Sequence, residues 1–318
     1  MSDIKLFRLG ETVSEIEGSA VQIEKSLQVL FEKNLESLLG VRFLASEYST
    51  GPAHGGRIDT LGLDEDGSPV IIEYKRSINE NVVSQGLFYL DWLMDHRKDF
   101  QWLVMERLGQ EAAKSVEWSS PRLICIAGDF TRYDEHAVKQ IARNIELLRY
   151  RRFANDLLMI ELIHAPKSAK SSNGVTKISH ESDVTLSTFE DSEKTGDKYK
   201  SLRIAHRISQ CGSELTDLFT AVRDYLAALG DDVQIKELSY YIAFKRIKNF
   251  ACLEVYPQAK VVFVFLKVDP NDIELEEGFT RDVTKIGHYG TGNLQVAIRT
   301  LTDFAKAQHL FIKSYESS

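Results

Sequence analysis

The chain has 318 residues, 43% of them hydrophobic and 27% charged, with a formal net charge of −8. These are values of an ordinary globular protein with room for two domains. The acidic balance excludes a chain-wide electrostatic affinity for nucleic acid, so contact with a polyanion would need a local basic patch. Cys125, Cys211 and Cys252 lie far apart and form no CxxC pair, which argues against a zinc site or a disulfide framework. Cys125, inside "RLICIAG", reads as an inert core thiol. The opening "MSDIKLFRLGETVSE" has neither a basic n-region nor an apolar h-region, and no window approaches the ~18 apolar residues of a membrane span. A cytoplasmic protein with no membrane association is expected.

In chain order, Ile23, Leu27, Leu30, Phe31, Leu35 and Leu38 have helical spacing, with Gly40 as a stop. "VRFLASEY" reads as a strand, followed by the loop "STGPAHGG" and two apolar strands around the tight turn "DEDGS". Asn79 is a candidate cap for a helix over "ENVVSQGLFYLDWLMDHR", and "WLVMERLGQEAAKSV" suggests a second helix. "PRLICIAGDF" predicts a strand, "DEHAVKQIARNIELLRYRRF" a helix and "DLLMIELIHA" a last strand. Alternation of strands and helices predicts an α/β layered domain over 1–165 with a mixed sheet. Residues 166–198, rich in Ser, Thr, Lys and acids, read as a flexible linker. Residues 199–318 read as a smaller α+β domain. In it "ELTDLFTAVRDYLAALG" is an amphipathic helix, and "YYIAFKRIKNFACLEVYP" and "AKVVFVFLKVDP" are strand-rich. "GTGNLQVAIRTLTDFAKAQHLFIKSYES" reads as a helix with Asn293 near its start.

The stretch "GGRIDTLGLDEDGSPVIIEYKRS" places three charges at the open end of a hairpin. A type I turn over Glu65-Asp66 with Gly67 in the left-handed region gives a three-residue loop with a bulge. That register pairs Asp64 with Ser68 and sets Asp59 opposite Glu73. A two-residue loop would shift the pairing and move Asp59 to the other face. In the bulged register alternation puts Asp59, Glu73 and Lys75 on one face with Leu61, Leu63 and Ile71. Two carboxylates this close need neutralising. Lys75 helps, and a divalent cation does more: Mg²⁺ (or Mn²⁺) accepts one or two carboxylates, keeps several waters and takes further ligands from phosphate. Metal-assisted phosphodiester hydrolysis accounts for the spacing, with Lys75 orienting or deprotonating a water. An ordinary surface ion-pair cluster is the other reading of the same charges.

"GRIDTLGLDEDGSPVIIEYKR" resembles the PD-(D/E)xK nuclease superfamily, in its RecB-like and NucS-like branch, where the pattern is close to "GRIDxLxxDxxGxxxxxExKR". Two further elements fit. "QGLFY" matches a Q-x-x-x-Y motif, with Gln85 and Tyr89 one helical turn apart, and "EKSLQVLFEKN" offers Glu24, Leu27 and Asn34 upstream. The resemblance spans about residues 20–165. It implies a restriction-endonuclease-like three-layer core. It assigns metal binding to Asp59, Glu73 and the Tyr74 carbonyl, catalysis to Lys75, and support to Glu24, for which Glu32 and Glu36 compete. Gln85 and Tyr89 would contact DNA backbone or brace the site, or Tyr89 would be plain helix core.

Further candidates for phosphate contact are Arg57, in "AHGGR", and Arg149, Arg151 and Arg152, in "RYRRF", which also read as a solvated helix end. Members of the branch carry an N-terminal DNA-binding and dimerising domain with no expected counterpart here, so mismatch specificity does not carry over. The later domain resembles an uncharacterised bacterial domain appended to such modules. In it "FKRIKNFACLEVYP" and the loop "GHYGTGN", with His288, read as ligand contacts or as plain strand-edge and turn chemistry. The expectation is an Mg²⁺-dependent endodeoxyribonuclease acting on DNA in repair or defence. Two cuts in a duplex would suit a homodimer. A non-catalytic nucleic-acid-binding or interaction module and an RNA nuclease are the rival readings.

Overall fold

A computed structural model describes residues 4–19, 24–75, 82–154, 156–166 and 203–318. The described residues fall into two compact units, Met1–Pro166 with Ile247–Asn249 and Lys167–Arg246 with Phe250–Ser318. The linker expected over 166–198 falls, after Pro166, outside the described residues, as does the Asn79 cap.

In the first unit β1 (Leu6–Arg8) and β2 (Ser14–Ile16) form a small antiparallel pair. The main sheet has seven strands: β3 (Gly18–Ser19), β4 (Val41–Ser49), β5 (Arg57–Asp64), β6 (Pro69–Lys75), β7 (Arg122–Ala127), β8 (Asn144–Phe153) and β9 (Leu157–His164). Their order is β3-β8-β7-β6-β5-β4, with β9 also paired to β8. The pairs β6–β7 and β7–β8 are parallel and the rest antiparallel, which makes a mixed sheet. Helices α1 (Glu24–Lys33) and α2 (Leu35–Leu39) cover one face, where Leu27, Phe31, Leu35 and Leu39 pack on Val70, Ile72, Tyr74, Ile124 and Leu148. After the single turn α3 (Gly51–His54) come α4 (Val82–Asp95) and α5 (Arg97–Leu108), which cover the other face over Leu61, Leu63, Ile71, Leu123, Ile145 and Leu147. Short helices α6 (Gln110–Lys114) and α7 (Arg132–Val138) complete the crossovers into β7 and β8. The result is a three-layer α/β/α core, built on the mixed sheet that the alternating elements predict.

Local details differ from the sequence pattern. The expected first helix is divided at Asn34 and ends at Gly40, whose left-handed φ of 64° closes it. The helix expected over 134–153 is α7 followed by strand β8, so Arg149, Arg151 and Arg152 lie on a strand and not at a helix end. Ile145 and Leu147 face the α4 cluster while Leu148 and Tyr150 face the α1 cluster. A strand buried on both faces carries a near-continuous apolar run that also fits helical spacing.

The second unit has α8 (Ile204–Ser209), α9 (Ser213–Ala227), a six-stranded sheet and a closing helix α10 (Leu301–Glu316). The strands are β10 (Gln234–Glu237), β11 (Ile242–Lys245), β12 (Asn249–Tyr256), β13 (Val261–Leu266), β14 (Thr280–Asp282) and β15 (Leu294–Ile298), in the order β10-β11-β12-β13-β15-β14. The segment expected as one helix from Gly290 is β15 and then α10. The cap is Thr300, which exchanges hydrogen bonds with Asp303, and not Asn293. The basic residues of "FKRIKNF" are largely structural: Lys245 is buried, and Arg246 pairs with Asp232 at 2.7 Å and lies over the Tyr315 ring.

One buried cluster ties the closed end of the first sheet. Arg122, at the start of β7, bonds Glu146 of β8 through two nitrogens at 2.7 and 2.8 Å and Asp64 of β5 at 3.2 Å. All three residues are at most 2% exposed. Removing Arg122 would take its charge away from two carboxylates in a dry interior. Arg122→Met is therefore expected to cost about 3–5 kcal/mol, read as a lowered urea midpoint. A loss below about 1 kcal/mol would mean that the cluster is solvated.

Candidate active site at the open end of the hairpin

The β5–β6 hairpin has the three-residue loop. Asp64 N–H donates to Ser68 O at 2.9 Å, Gly67 has φ 79°, and Leu63 pairs with Pro69. Asp64 Oδ1 also accepts from the Asp66 and Ser68 amides at 3.0 and 2.7 Å, fixing the turn. The register then runs to Thr60↔Ile72 and stops, one step before Asp59 and Glu73.

Beyond that step side chains replace the ladder. The Asp59 N–H donates to Glu73 Oε1 at 3.2 Å, and the Tyr74 N–H donates to Asp59 Oδ2 at 3.0 Å. Buried amides demand acceptors, and the two carboxylates supply them while the strands part. The expected single face does not survive in detail. Thr60 donates to Glu32 of α1 at 2.7 Å, yet Ile58, two residues earlier, packs in the cluster under α4. Strict alternation would put both on one side, so β5 turns over at Asp59. The neighbouring β4 is irregular at the same level, where Glu47 has φ 53°. A non-glycine residue in the left-handed region is uncommon and is a mark of local constraint. Its carboxylate is held by Lys25 at 2.7 Å and by Arg57 Nε at 2.5 Å. The Lys25 hydrogen bond, ahead of Coulomb attraction to Lys25 and Arg57, draws its carboxyl below the usual glutamate range.

An open cleft of about 770 Å³ lies over this point, and Arg57, Asp59, Lys75, Gln85 and Tyr89 all line it. Five residues expected at the site from sequence thus meet in one cleft. Glu73 stands behind them, with no exposed surface. The Tyr89 hydroxyl accepts from the Arg57 N–H at 3.1 Å and from Gln85 Nε2 at 3.3 Å. The Gln85–Tyr89 pair therefore braces the chain leading into Asp59. Thr50 and Gly56 clamp the intervening loop, with Gly56 N–H donating to Thr50 Oγ1 at 2.8 Å. A Cβ at Gly56 would sit 2.5 Å from the Tyr89 ring, so only glycine allows this approach.

On the opposite side of the strand Gln28, 3% exposed on α1, donates through Nε2 to the Asp59 carbonyl at 2.7 Å and to Glu32 Oε1 at 2.9 Å. Glu32 also accepts from Thr60. Glu32, one of the three acids considered, thus meets the strand beside Asp59 through Gln28 and Thr60. Glu24 opens α1, with its side chain outside the described residues, and Glu36 is exposed on α2. Gln28 and Thr60 escaped the sequence reading. The available signal was a glutamine at a buried position of α1, next to the apolar pair Leu27 and Phe31.

Arg149 was expected to meet phosphate. It is instead 4% exposed and held by Glu161 at 2.5 Å and Asp129 at 3.2 Å. Both bonds keep its guanidinium protonated against the cost of burial. In the parallel register Lys75, Ala127 and Arg149 form one cross-strand row, so this ion cluster supports the site's end of the sheet from two strands away. Arg151 and Arg152 are half-buried and neither lines the cleft.

No group of three or more His, Cys, Asp or Glu residues is placed to hold a metal among the described residues. A cation here would rest on Asp59 and Glu73, on water, and on the Tyr74 carbonyl, which strand geometry turns to the same side as the amide facing Asp59. Such an oxygen-only set with few protein carboxylates suits Mg²⁺ or Mn²⁺ and not a soft metal.

Among known proteins, residues 208–318 match a family described as a domain of unknown function, DUF5655. A protein of Haemophilus influenzae described as uncharacterized is 28% identical over 293 residues, covering 91% of each chain. A repair endonuclease from Pyrococcus abyssi shares 22% identity over 41% of this chain and 49% of its own, with a TM-score of 0.27. An EndoMS–dsDNA2 complex shares 18% over 46% of this chain and 64% of its own, with a TM-score of 0.24. The chain thus spans less than two thirds of these solved structures. No helix among the described residues is long and apolar enough to cross a membrane.

The brace makes a local prediction. Tyr89→Phe removes an acceptor shared by two donors and should lower stability by about 0.5–1.5 kcal/mol. Hydrogen exchange at the Arg57 amide should quicken. Unchanged exchange there would show that water replaces the hydroxyl at no cost.

Proposed function

We propose that the first unit is a divalent-metal-dependent nuclease that hydrolyses DNA phosphodiester bonds, in repair or in defence. The observation that carries this reading is the meeting of Asp59 and Lys75 in one open cleft, with Glu73 bonded to the Asp59 amide behind them. Asp59 and Glu73, with the Tyr74 carbonyl, would hold Mg²⁺ or Mn²⁺. The ion would supply positive charge to a phosphodiester oxygen and acidify a bound water.

The chain's own groups do the rest. The Tyr74 amide fixes Asp59 Oδ2, and Asp59 lines the cleft. Lys75, two residues after Glu73 on the same strand, brings an ammonium to the cleft that can orient the water or take its proton. Arg57 adds a largely exposed guanidinium at the rim, suited to a phosphate oxygen. Gln85 and Tyr89 hold the loop, and Gln28, Glu32 and Thr60 hold the strand, so Asp59 keeps its place without substrate. An open cleft with cationic walls suits an extended phosphate backbone.

A non-catalytic nucleic-acid-binding module on the same scaffold is the second reading, and the complete burial of Glu73 favours it. Calorimetry with Mg²⁺ and Mn²⁺ separates the two, run beside cleavage of matched single-stranded, duplex, mismatched and branched DNA and of RNA. Asp59→Ala should lose metal binding and cleavage together. Lys75→Met should keep metal binding while cleavage falls by about 10²-fold or more. Nucleic-acid binding without metal uptake or cleavage in the wild type would overturn the nuclease, and cleavage of RNA alone would change its substrate.

A further inference from the structure

The second unit contains a partly open cavity of about 210 Å³. Its sheet is covered unequally. Helices α9 and α10 bury one face through Leu218, Phe219, Val222, Leu310 and Phe311. On the other face Phe265 of β13, Gln295 of β15 and Arg281 of β14 form one cross-strand row, with Glu254 of β12 close by. The loop between β14 and β15 folds over this row. It is pinned at Gly290, with φ 76°, where a Cβ would sit 2.7 Å from Cys252 Sγ, and by the Thr291 N–H on that same sulfur at 3.3 Å.

The walls combine flat rings with groups for hydrogen bonding. His288 lies on Phe265 with ring centroids 4.4 Å apart and planes 7° from parallel. Its Nδ1 is 2.9 Å from the Ile286 carbonyl, which can only accept, so Nδ1 carries a proton. Nε2, buried in the wall, has no hydrogen-bond partner among the described residues. Glu254 is 1% exposed. Its Oε2 accepts from Tyr256 at 2.7 Å and pairs with Arg207 at 3.2 Å, and the Arg207 guanidinium lies over the Tyr256 ring. A carboxylate placed this deep gains little from its ion pair, and an unpartnered imidazole nitrogen is a cost. Both line the same cavity. Gln295 adds an amide that can donate and accept. Arg207 neutralises Glu254 inside, while the exposed Arg281 leaves a cation at the rim.

We infer that this cavity binds a single heteroaromatic base bearing N–H groups, with an anionic substituent at Arg281: a nucleobase with its phosphate. The volume is below that of an ordinary small-molecule pocket of about 300–1,000 Å³ and is large enough for one or two fused rings. Acceptors at Glu254 and His288 with an amide at Gln295 complement the hydrogen-bonding edge of a base, and Phe265, Val283 and Ile286 add apolar lining. The base can come from a free nucleotide or be extruded from a strand, since both present the same edge. This site stands apart from the nuclease reading, and its test reads binding alone.

The test is calorimetric titration of the full chain with the four deoxynucleoside monophosphates, their nucleosides, and a short duplex carrying one unpaired nucleotide beside its fully paired control. At least one mononucleotide or the unpaired-base duplex should saturate. Glu254→Gln should weaken that binding by about tenfold or more. Arg281→Ala should weaken the nucleotide and leave its nucleoside unchanged. Preference for the unpaired duplex over its control, lost in Glu254→Gln, assigns the source to a strand; saturation by mononucleotides alone assigns it to the free pool. If Glu254→Gln does not fold, Arg281→Ala, at an exposed position, carries the decision. No saturation by any probe at millimolar concentration, or binding that neither substitution alters, overturns the site.

Discussion

The register of the β5–β6 hairpin is the constraint on which the first unit depends. Gly67, in the left-handed region, lets the loop hold three residues, and the Asp64 carboxylate locks it by accepting two amides. A one-residue slip would turn one strand over relative to the other. Were β6 to move, Ile71 would leave the α4 core, and Val70, Ile72 and Tyr74 would leave the α1 core. No one residue of the site would be wrong; all would be displaced at once. The turn is also tied from outside, because the Glu117 N–H donates to Gly67 O at 2.8 Å, leaving no room for a Cβ beside Ser115.

The two ends of that hairpin deal with buried charge in opposite ways. At the turn, Arg122 is held by Glu146 and Asp64 with its donors directed at their oxygens, so the cluster is closed. At the other end the strands separate, and Asp59 and Glu73 each accept a backbone amide that the ladder no longer serves. A carboxylate has more acceptor positions than one amide fills. The same side chains that repair the backbone are those on which a cation would rest. That dual use explains why the divergence does not destabilise the sheet: the amides exposed by the parting strands are satisfied by the groups the chemistry would need.

Much of this was legible in the sequence because it is local. The turn, the register and the i,i+4 pair Gln85–Tyr89 depend on residues close along the chain, and the structure brings Asp59, Lys75, Gln85, Tyr89 and Arg57 to one cleft. What was not legible is long-range or breaks a period. "NIELLRYRRF" carries apolar residues on both faces of a buried strand, which a helical template also fits, so β8 was expected as helix. Arg149 was expected as a surface cation because its partners, Asp129 and Glu161, come from other segments. The turnover of β5 between Ile58 and Thr60 has no signature in alternation, and the adjacent strand is irregular at the same level, at Glu47. Gln28 shows the reverse lesson, because a polar residue on an otherwise apolar helix stripe marked the site's second side.

The second unit follows the same physical logic with different residues. Its sheet buries one face fully under two helices, and that face needs no further explanation. The other face carries a glutamate that burial raises above the usual carboxyl range despite Tyr256 and Arg207, and a tyrosine that burial and Glu254 push up to about 12. A fold seeking stability alone would place apolar groups there, since a buried ion pair is at best near neutral against a well-packed hydrophobic replacement. Both units thus put their expensive polar groups where a sheet loses its regular cover, at a parted ladder in one and beneath a loop in the other. At the parted ladder the carboxylates serve the backbone amides, whereas beneath the loop the buried glutamate gains the fold little from its ion pair.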